Sequence, residues 1–241
     1  MAGGLTDAIL ERMREEGNKK IHVDSETFYP YIEFPETWEQ MKERFGKKFR
    51  YNLRSRKKKL EQIGEVSITC YSSPDQTAEF LEKMLGIERN SWKESSGTSI
   101  TTNANQKLFH TKLAEAASQR GMLQGYVMEL SHKPIAHIYG LYWQNTFFCL
   151  KSSICEEFRK YSPGVVLKAM VMERLVNTSA GYWDFVGPSE DHKLRWTKDN
   201  YSIRNYIVFN TTVMGQLLEK KMKMGNLFRE LKNSGATEYA G

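Results

Sequence analysis

The chain has 241 residues, of which 40% are hydrophobic and 12% aromatic; it can bury a sizeable core, which excludes a globally disordered polypeptide. Its formal net charge of +6 admits an anionic partner without requiring one. Cys70, Cys149 and Cys155 form no Cys-x-x-Cys pair and no zinc spacing, so the expectation is free thiols in a reducing compartment and no metal site.

Residues 6–17 read as a helix closed by Gly17, and "HVDSETFYPYIEFP" as an extended, Pro-punctuated segment. From Pro35 a long helix is predicted, because Phe45, Phe49, Leu53 and Leu60 recur on one apolar stripe. Residues 65–71 read as a strand. "SPDQTAEFLEKMLGIERNSW" reads as a helix with Ser73 as N-cap and Pro74 at its first position. "SSGTSITTNAN" is a polar loop, and a helix over 105–120 ends at Gly121. "GYVMELS", "PIAHIYGLYW" and "TFFCLKSS" then form three strands joined by the short links "HK" and "QN", an antiparallel meander. A helix over 163–178, a strand at "YWDFV", a short turn or helix at "EDHKLRW", a strand at "RNYIVF" and an amphipathic helix over 211–233 complete the chain. The first residues carry charges where a leader peptide would be apolar. The longest stretch free of Asp, Glu, Lys and Arg, Pro134 to Leu150, is broken by polar residues. A cytoplasmic protein is expected, peripheral at the inner membrane face at most.

An antiparallel meander that feeds a helix crossing to a neighbouring parallel strand is an α/β (α+β) order with helices on both faces of a mixed sheet. It resembles the GNAT acyltransferase fold. That family binds acyl-CoA pyrophosphate at a strand-to-helix junction of the form Arg/Gln-x-x-Gly-x-Gly/Ala. Here the junction is Arg159-Lys160-Tyr161-Ser162-Pro163-Gly164, with Ser in place of the first Gly. Free N–H groups and the dipole at a helix start suit phosphate in either case. A narrower resemblance is to the GNAT subfamily named for a cellulose-biosynthesis protein, related to the Fem-type aminoacyl transferases. It rests on the Arg-rich "KKFRYNLRSRKKKLEQIG" (47–64), on "YSPGVVL" (161–167), and on Asp184-Phe185 followed by Glu190, Lys193 and Trp196. Residues 35–241 are accordingly expected to be one GNAT-like acyltransferase domain. Residues 1–34 are expected to be an N-terminal helix and extended segment, a remnant of the second, upstream half found in members of the subfamily.

The resemblance implies acyl-CoA as donor, an amine acceptor and no metal. Arg159, Lys160, Tyr161, Ser162, Gly164 and Val165 would bind the donor, and Asn52, Glu190 and Trp196 would line the substrate wall. Four residues are candidates for the chemistry. Glu129 lies on the first meander strand, where the fold places a base; alternation sets it on the face of Val127 and leaves a solvent-facing carboxylate as the alternative. His137 lies on the second strand and reads as a buried neutral histidine or as a base. Asp184, flanked by Trp183 and Phe185, needs a partner, and Lys193 is the expected one. The basic run Arg50, Arg54, Arg56, Lys57, Lys58, Lys59 is either a solvated face or a platform for CoA phosphate, tRNA or anionic lipid, over residues 47–59. Three functions stay open: an acyl-CoA-dependent N-acyltransferase of cell-envelope or exopolysaccharide metabolism, a Fem-like transferase using aminoacyl-tRNA, and a catalytically silent GNAT-like binding module.

Overall fold

The structure, a computed structural model, describes residues 5–17 and 19–235. The first four residues of the expected 1–34 segment lie outside the described residues. In chain order the elements are α1 (Leu5–Gly17), β1 (Lys20–Glu33), α2 (Trp38–Arg44), α3 (Lys47–Glu61), β2 (Val66–Tyr71), α4 (Thr77–Arg89), α5 (Trp92–Ser95), α6 (Ala104–Gln119), β3 (Leu123–Leu130), β4 (Lys133–Trp143), β5 (Thr146–Ile154), α7 (Pro163–Asn177), β6 (Tyr182–Asp184), α8 (Asp191–Leu194), β7 (Asn200–Phe209) and α9 (Val213–Gly235).

These elements fall into two compact units. The larger runs from Tyr29 to Tyr201; the smaller comprises residues up to Phe28 and from Ser202 onward. In the larger unit the sheet order is β2-β3-β4-β5-β6-β1, antiparallel throughout except for the parallel pair β5–β6. This is the expected mixed sheet. The meander links are two-residue turns with both residues at positive φ, Ser131-His132 and Gln144-Asn145, the geometry that matches strand twist. Phe80 of α4 packs on the face that carries Tyr71 and Tyr139 and lies against Gly125, where a β-carbon would meet its ring. Helix α7 packs on β3, β4 and β5, and α2 and α3 pack on α7. In the smaller unit Glu219 of α9 is ringed by Lys20 and His22, each at 3.0 Å, and Lys223 at 2.8 Å.

The long helix predicted from Pro35 is two helices. A capping box of Thr37 and Gln40 starts α2. At Phe45 the chain turns extended and drives that ring into the core, edge-on to Trp38, Phe49 and Trp196, before Gly46 caps α3. The helix expected from Ser73 begins with a 3-10 turn, Pro74–Gln76, with no side-chain cap, and breaks again between α4 and α5. The polar loop after α5 holds a further 3-10 turn and buries Ser99 and Ile100. The strand at "YWDFV" is only three residues long, because the chain bends sharply at Val186 and Gly187, both at positive φ.

Candidate active site

The short β6 creates the site. Its pairing with β5 covers Thr146↔Tyr182, Phe147↔Trp183 and Phe148↔Asp184 and then stops. β5 runs on to Ile154. The register shift between Tyr139 and Gly140 makes Leu150 an extra residue in β5, a bulge at the point where the strands part. The opening becomes a cleft of about 580 Å³ lined by β5 from Cys149 to Ile154, by Phe185 and Val186 after β6, and by the start of α7. A crevice at the carboxyl ends of parallel strands is the usual ligand position in α/β sheets. Two strained residues flank it. Val186 has φ +43, and Ser162, at the first turn of α7, has φ +54.

Charge sets the character of the cleft. Lys93, Lys151, Arg159, Lys168 and Lys193 line it, against the single carboxylate of Glu190. Lys93 donates to Ser152 O at 2.6 Å and lies 3.8 Å from Glu88. Lys168 stands over the rings of Phe185, at 5.2 Å, and Trp196, at 5.9 Å. Lys193 donates to Pro188 O at 3.0 Å and lies 3.9 Å from Glu190. Burial lowers the pKa of both Lys93 and Lys168. Burial pushes the Cys149 thiol up, so it is no ready nucleophile.

Of the junction residues, Arg159 and Gly164 line the cleft. Arg159 also pairs with Glu156 at 2.9 Å. Lys160 lies over the Tyr161 ring at 5.0 Å, and Tyr161 and Val165 pack against the core. Ser162 does not cap α7 with its side chain; it takes the left-handed conformation, which leaves the first turn to backbone groups.

The expected Asp184–Lys193 pair is not formed. Asp184 accepts from the Val186 N–H and the Tyr201 hydroxyl, both at 2.7 Å, and so braces the strained turn after β6. Its carboxylate lines a separate pocket of about 440 Å³ with Tyr31, Phe148, Tyr182 and Tyr201, while Lys193 faces the cleft. Successive strand residues point to opposite faces, so Phe148 and Asp184 belong to one pocket and Cys149 and Phe185 to the other. Asp184→Asn and Lys193→Met should therefore change stability additively, within about 0.5 kcal/mol in a double-mutant cycle. A coupling well above that value would mean the two side chains do interact.

Other candidates are placed elsewhere. Glu129 is half-buried but bound to Lys83 at 2.8 Å, which also holds Glu79; it neither faces free solvent nor lines the cleft. Asn52 is half-buried on α3. Trp196 is a core residue, 4.9 Å from Phe49 and edge-on; it supports Lys168 rather than forming an open wall. Glu190 caps the short α8 and lines the cleft. His137 is fully buried and its Nε2 lies 3.0 Å from Glu88, while its Nδ1 has no partner. Those contacts describe a neutral imidazole donating from Nε2 to a carboxylate, and burial lowers its pKa accordingly.

Three residues at this site carry no motif: Glu88, Lys93 and Lys168. A signal existed for two of them. Glu88 falls on the apolar stripe of Leu81, Met84 and Leu85, and Lys168 on that of Val165, Met172 and Leu175. A charge inside a buried stripe calls for a reason. Lys93 has no such mark; only the tertiary fold brings it to β5.

A family model described as an acetyltransferase (GNAT) domain matches residues 47–194, more than half of the chain. The chain belongs to the GNAT acetyltransferase family. Its acyltransferase character follows at that level, and the cleft lies where the chain passes from β5 to α7. Solved structures share the fold. The C-terminal DUF2156 domain of an Agrobacterium fabrum protein named as a lysylphosphatidylglycerol synthetase aligns over 89% of this chain and 69% of its own length, at 9% identity and TM-score 0.56. FemX aligns over 89% and 70%, at 12% identity and TM-score 0.55. A conserved Bacteroides thetaiotaomicron protein of unknown function aligns over 82% and 66%, at 14% identity and TM-score 0.53. The GNAT chain thus spans about two thirds of the length of these structures. No curated protein matches it. Among the described residues no helix is long and apolar enough to cross a membrane.

Proposed function

We propose that this GNAT domain is an acyl-CoA-dependent N-acyltransferase. The observation that carries the reading is the cationic cleft at the parting of β5 and β6, with the first turn of α7 at its rim. The donor pyrophosphate lies against Gly164 and Arg159, where N–H groups, the helix dipole and a guanidinium favour anionic oxygens. Gly164 sits against Ile154, with 3.0 Å between the Ile154 Cγ2 and a β-carbon built on the glycine. From Ile154 back to Cys149, β5 covers roughly 16 Å, enough for the arm that joins the phosphates to the thioester. The acyl carbon therefore lies at the apex, near Cys149 and Phe185.

The acceptor amine approaches from the pocket of Asp184 and the tyrosines, whose carboxylate and ring faces suit an ammonium. The ammonium first gives one proton to solvent; the neutral nitrogen then attacks the thioester carbonyl, a C–N bond forms and the C–S bond breaks. Asp184 takes the proton released by the nitrogen, having lone pairs left beside its two hydrogen bonds. The leaving thiolate of CoA is protonated from solvent. The apical cations Lys93 and Lys193 stabilise the developing oxyanion. The three motifs shared with the cellulose-biosynthesis subfamily favour an acceptor from cell-envelope or exopolysaccharide metabolism. Native mass spectrometry with added acetyl-CoA tests the reading. A one-to-one adduct, followed by acyl transfer to an amine panel, is expected; absence of any adduct would sink it.

A second reading, aminoacyl-tRNA as donor, is favoured by the exposed basic side chains of α3. Arg54, Lys57, Lys58 and Lys59 all face solvent, and Lys57 lies 3.8 Å from the only acid it pairs with among the described residues, Glu61. If α3 tracks a tRNA backbone, changing Lys57, Lys58 and Lys59 together to Gln should lower the slope of log affinity against log salt by about two. No tRNA binding by the wild type at low salt would leave α3 a solvated face.

A further inference from the structure

We infer that the substrate carries a carboxylate at its reacting end, and that the ammonium of Lys168 binds it at the apex of the cleft. The inference rests on the donor reading above and names a substrate class for it.

Lys168 is 8% exposed and lines the cleft. It has no carboxylate partner among the described residues. The titratable groups that bear on it are Cys149, the cations Lys193, Arg195 and Lys93, and His192. Its only close companions of another kind are the faces of Phe185 and Trp196. Three lysines, Lys168, Lys193 and Lys93, line the cleft together with Cys149. Lys93 has Glu88 and Lys193 has Glu190, whereas the most buried of the three has no acid at all. Burying an unpaired cation is costly, and a ligand that brings a negative charge removes the cost.

An ammonium offers hydrogen-bond donors to the oxygens of a carboxylate. The donor's phosphates do not fill this role, because they are held at the rim by Arg159 and Gly164. Lys168 lies one helical turn deeper in α7, about 6 Å along its axis, beside the residues where β5 and β6 part. The charge at the apex therefore belongs to the group being transferred or to the acceptor.

Calorimetry separates these sources with defined probes. One arm compares succinyl-CoA with acetyl-CoA. The other titrates glycine and glycine methyl ester into protein saturated with CoA. In at least one arm the carboxylate-bearing probe should bind tenfold tighter or better, and the arm that responds identifies the source. In Lys168→Met that preference should fall below about twofold, whatever happens to overall affinity. Thermal unfolding should show this variant as stable as the wild type or more so, because it removes an unpaired buried charge. Lys168→Gln serves as a second neutral variant with the same expectation. CoA bound but no carboxylate preference in either arm, or a preference that survives both substitutions, overturns this inference alone. Failure of CoA itself to bind overturns the donor reading and the inference with it.

Discussion

Glu88→Ala should destabilise the protein by about 3–5 kcal/mol, which for a chain of this size lowers the melting temperature by roughly 10 °C. Glu88 is fully buried, yet it accepts from His137 Nε2 at 3.0 Å and from Ser99 Oγ at 3.1 Å, and Lys93 stands 3.8 Å away. Removing it leaves the His137 imidazole N–H without its acceptor and the Lys93 ammonium without its counter-charge. Burial by itself would raise the pKa of Glu88; the hydrogen bond from His137 and the charge of Lys93 outweigh it and hold the value at about 2. The His137 imidazole is held below its ordinary 6.5 by burial. Both groups bind protons more readily in the unfolded chain, so both make stability fall as pH falls. The His137 contribution begins to be lost below about pH 6.5. That of Glu88 is present above about pH 4.5 and is lost as pH drops towards 2. Urea unfolding of wild type and Glu88→Ala at pH 7 and from pH 4.5 down towards pH 2 checks this. The variant should be the less stable at pH 7 and lose less stability below pH 4.5. A variant within about 0.5 kcal/mol of wild type would mean the cluster is no structural tie.

Gly164→Asp should lower acetyl-CoA affinity tenfold or more and leave the fold intact. A β-carbon at this position meets only Ile154 Cγ2 within 4 Å, a side-chain atom that can move. An aspartate in the first turn of a helix is itself favourable. The loss would come from a carboxylate placed where the donor's pyrophosphate should lie. Gly164→Ala adds the β-carbon without the charge and should lose distinctly less. Equal affinity for wild type and Gly164→Asp, with matching melting curves, would remove α7 from the donor site.

The sequence carries the order β3-β4-β5-β6 well, because the meander's alternation and its two-residue links are local signals, but it does not show that β2 and β1 flank these strands. Its errors are tertiary. Phe45 lies on the helical stripe of Phe49 and Leu53 but leaves the helix to fill a space beside Trp38 and Trp196. The sequence pattern pairs Asp184 with Lys193, nine residues on, since both are charges in apolar settings. In the fold Tyr201, a residue the motif does not include, reaches Asp184 first, and the turn at Val186 directs Lys193 into the cleft. Arg159 and Gly164 are legible as residues of one junction because they are near neighbours in sequence, and both line the cleft. Lys93 is not, because it approaches β5 from a helix 59 residues away in the chain.

A crystal structure of the protein with CoA tests the central claim most directly. The account predicts the pyrophosphate within hydrogen-bond distance of the Gly164 N–H and the Arg159 guanidinium, with the thiol directed along β5 towards Cys149 and Phe185. Density for CoA elsewhere, such as on the basic face of α3 with the cleft between β5 and β6 empty, would contradict it.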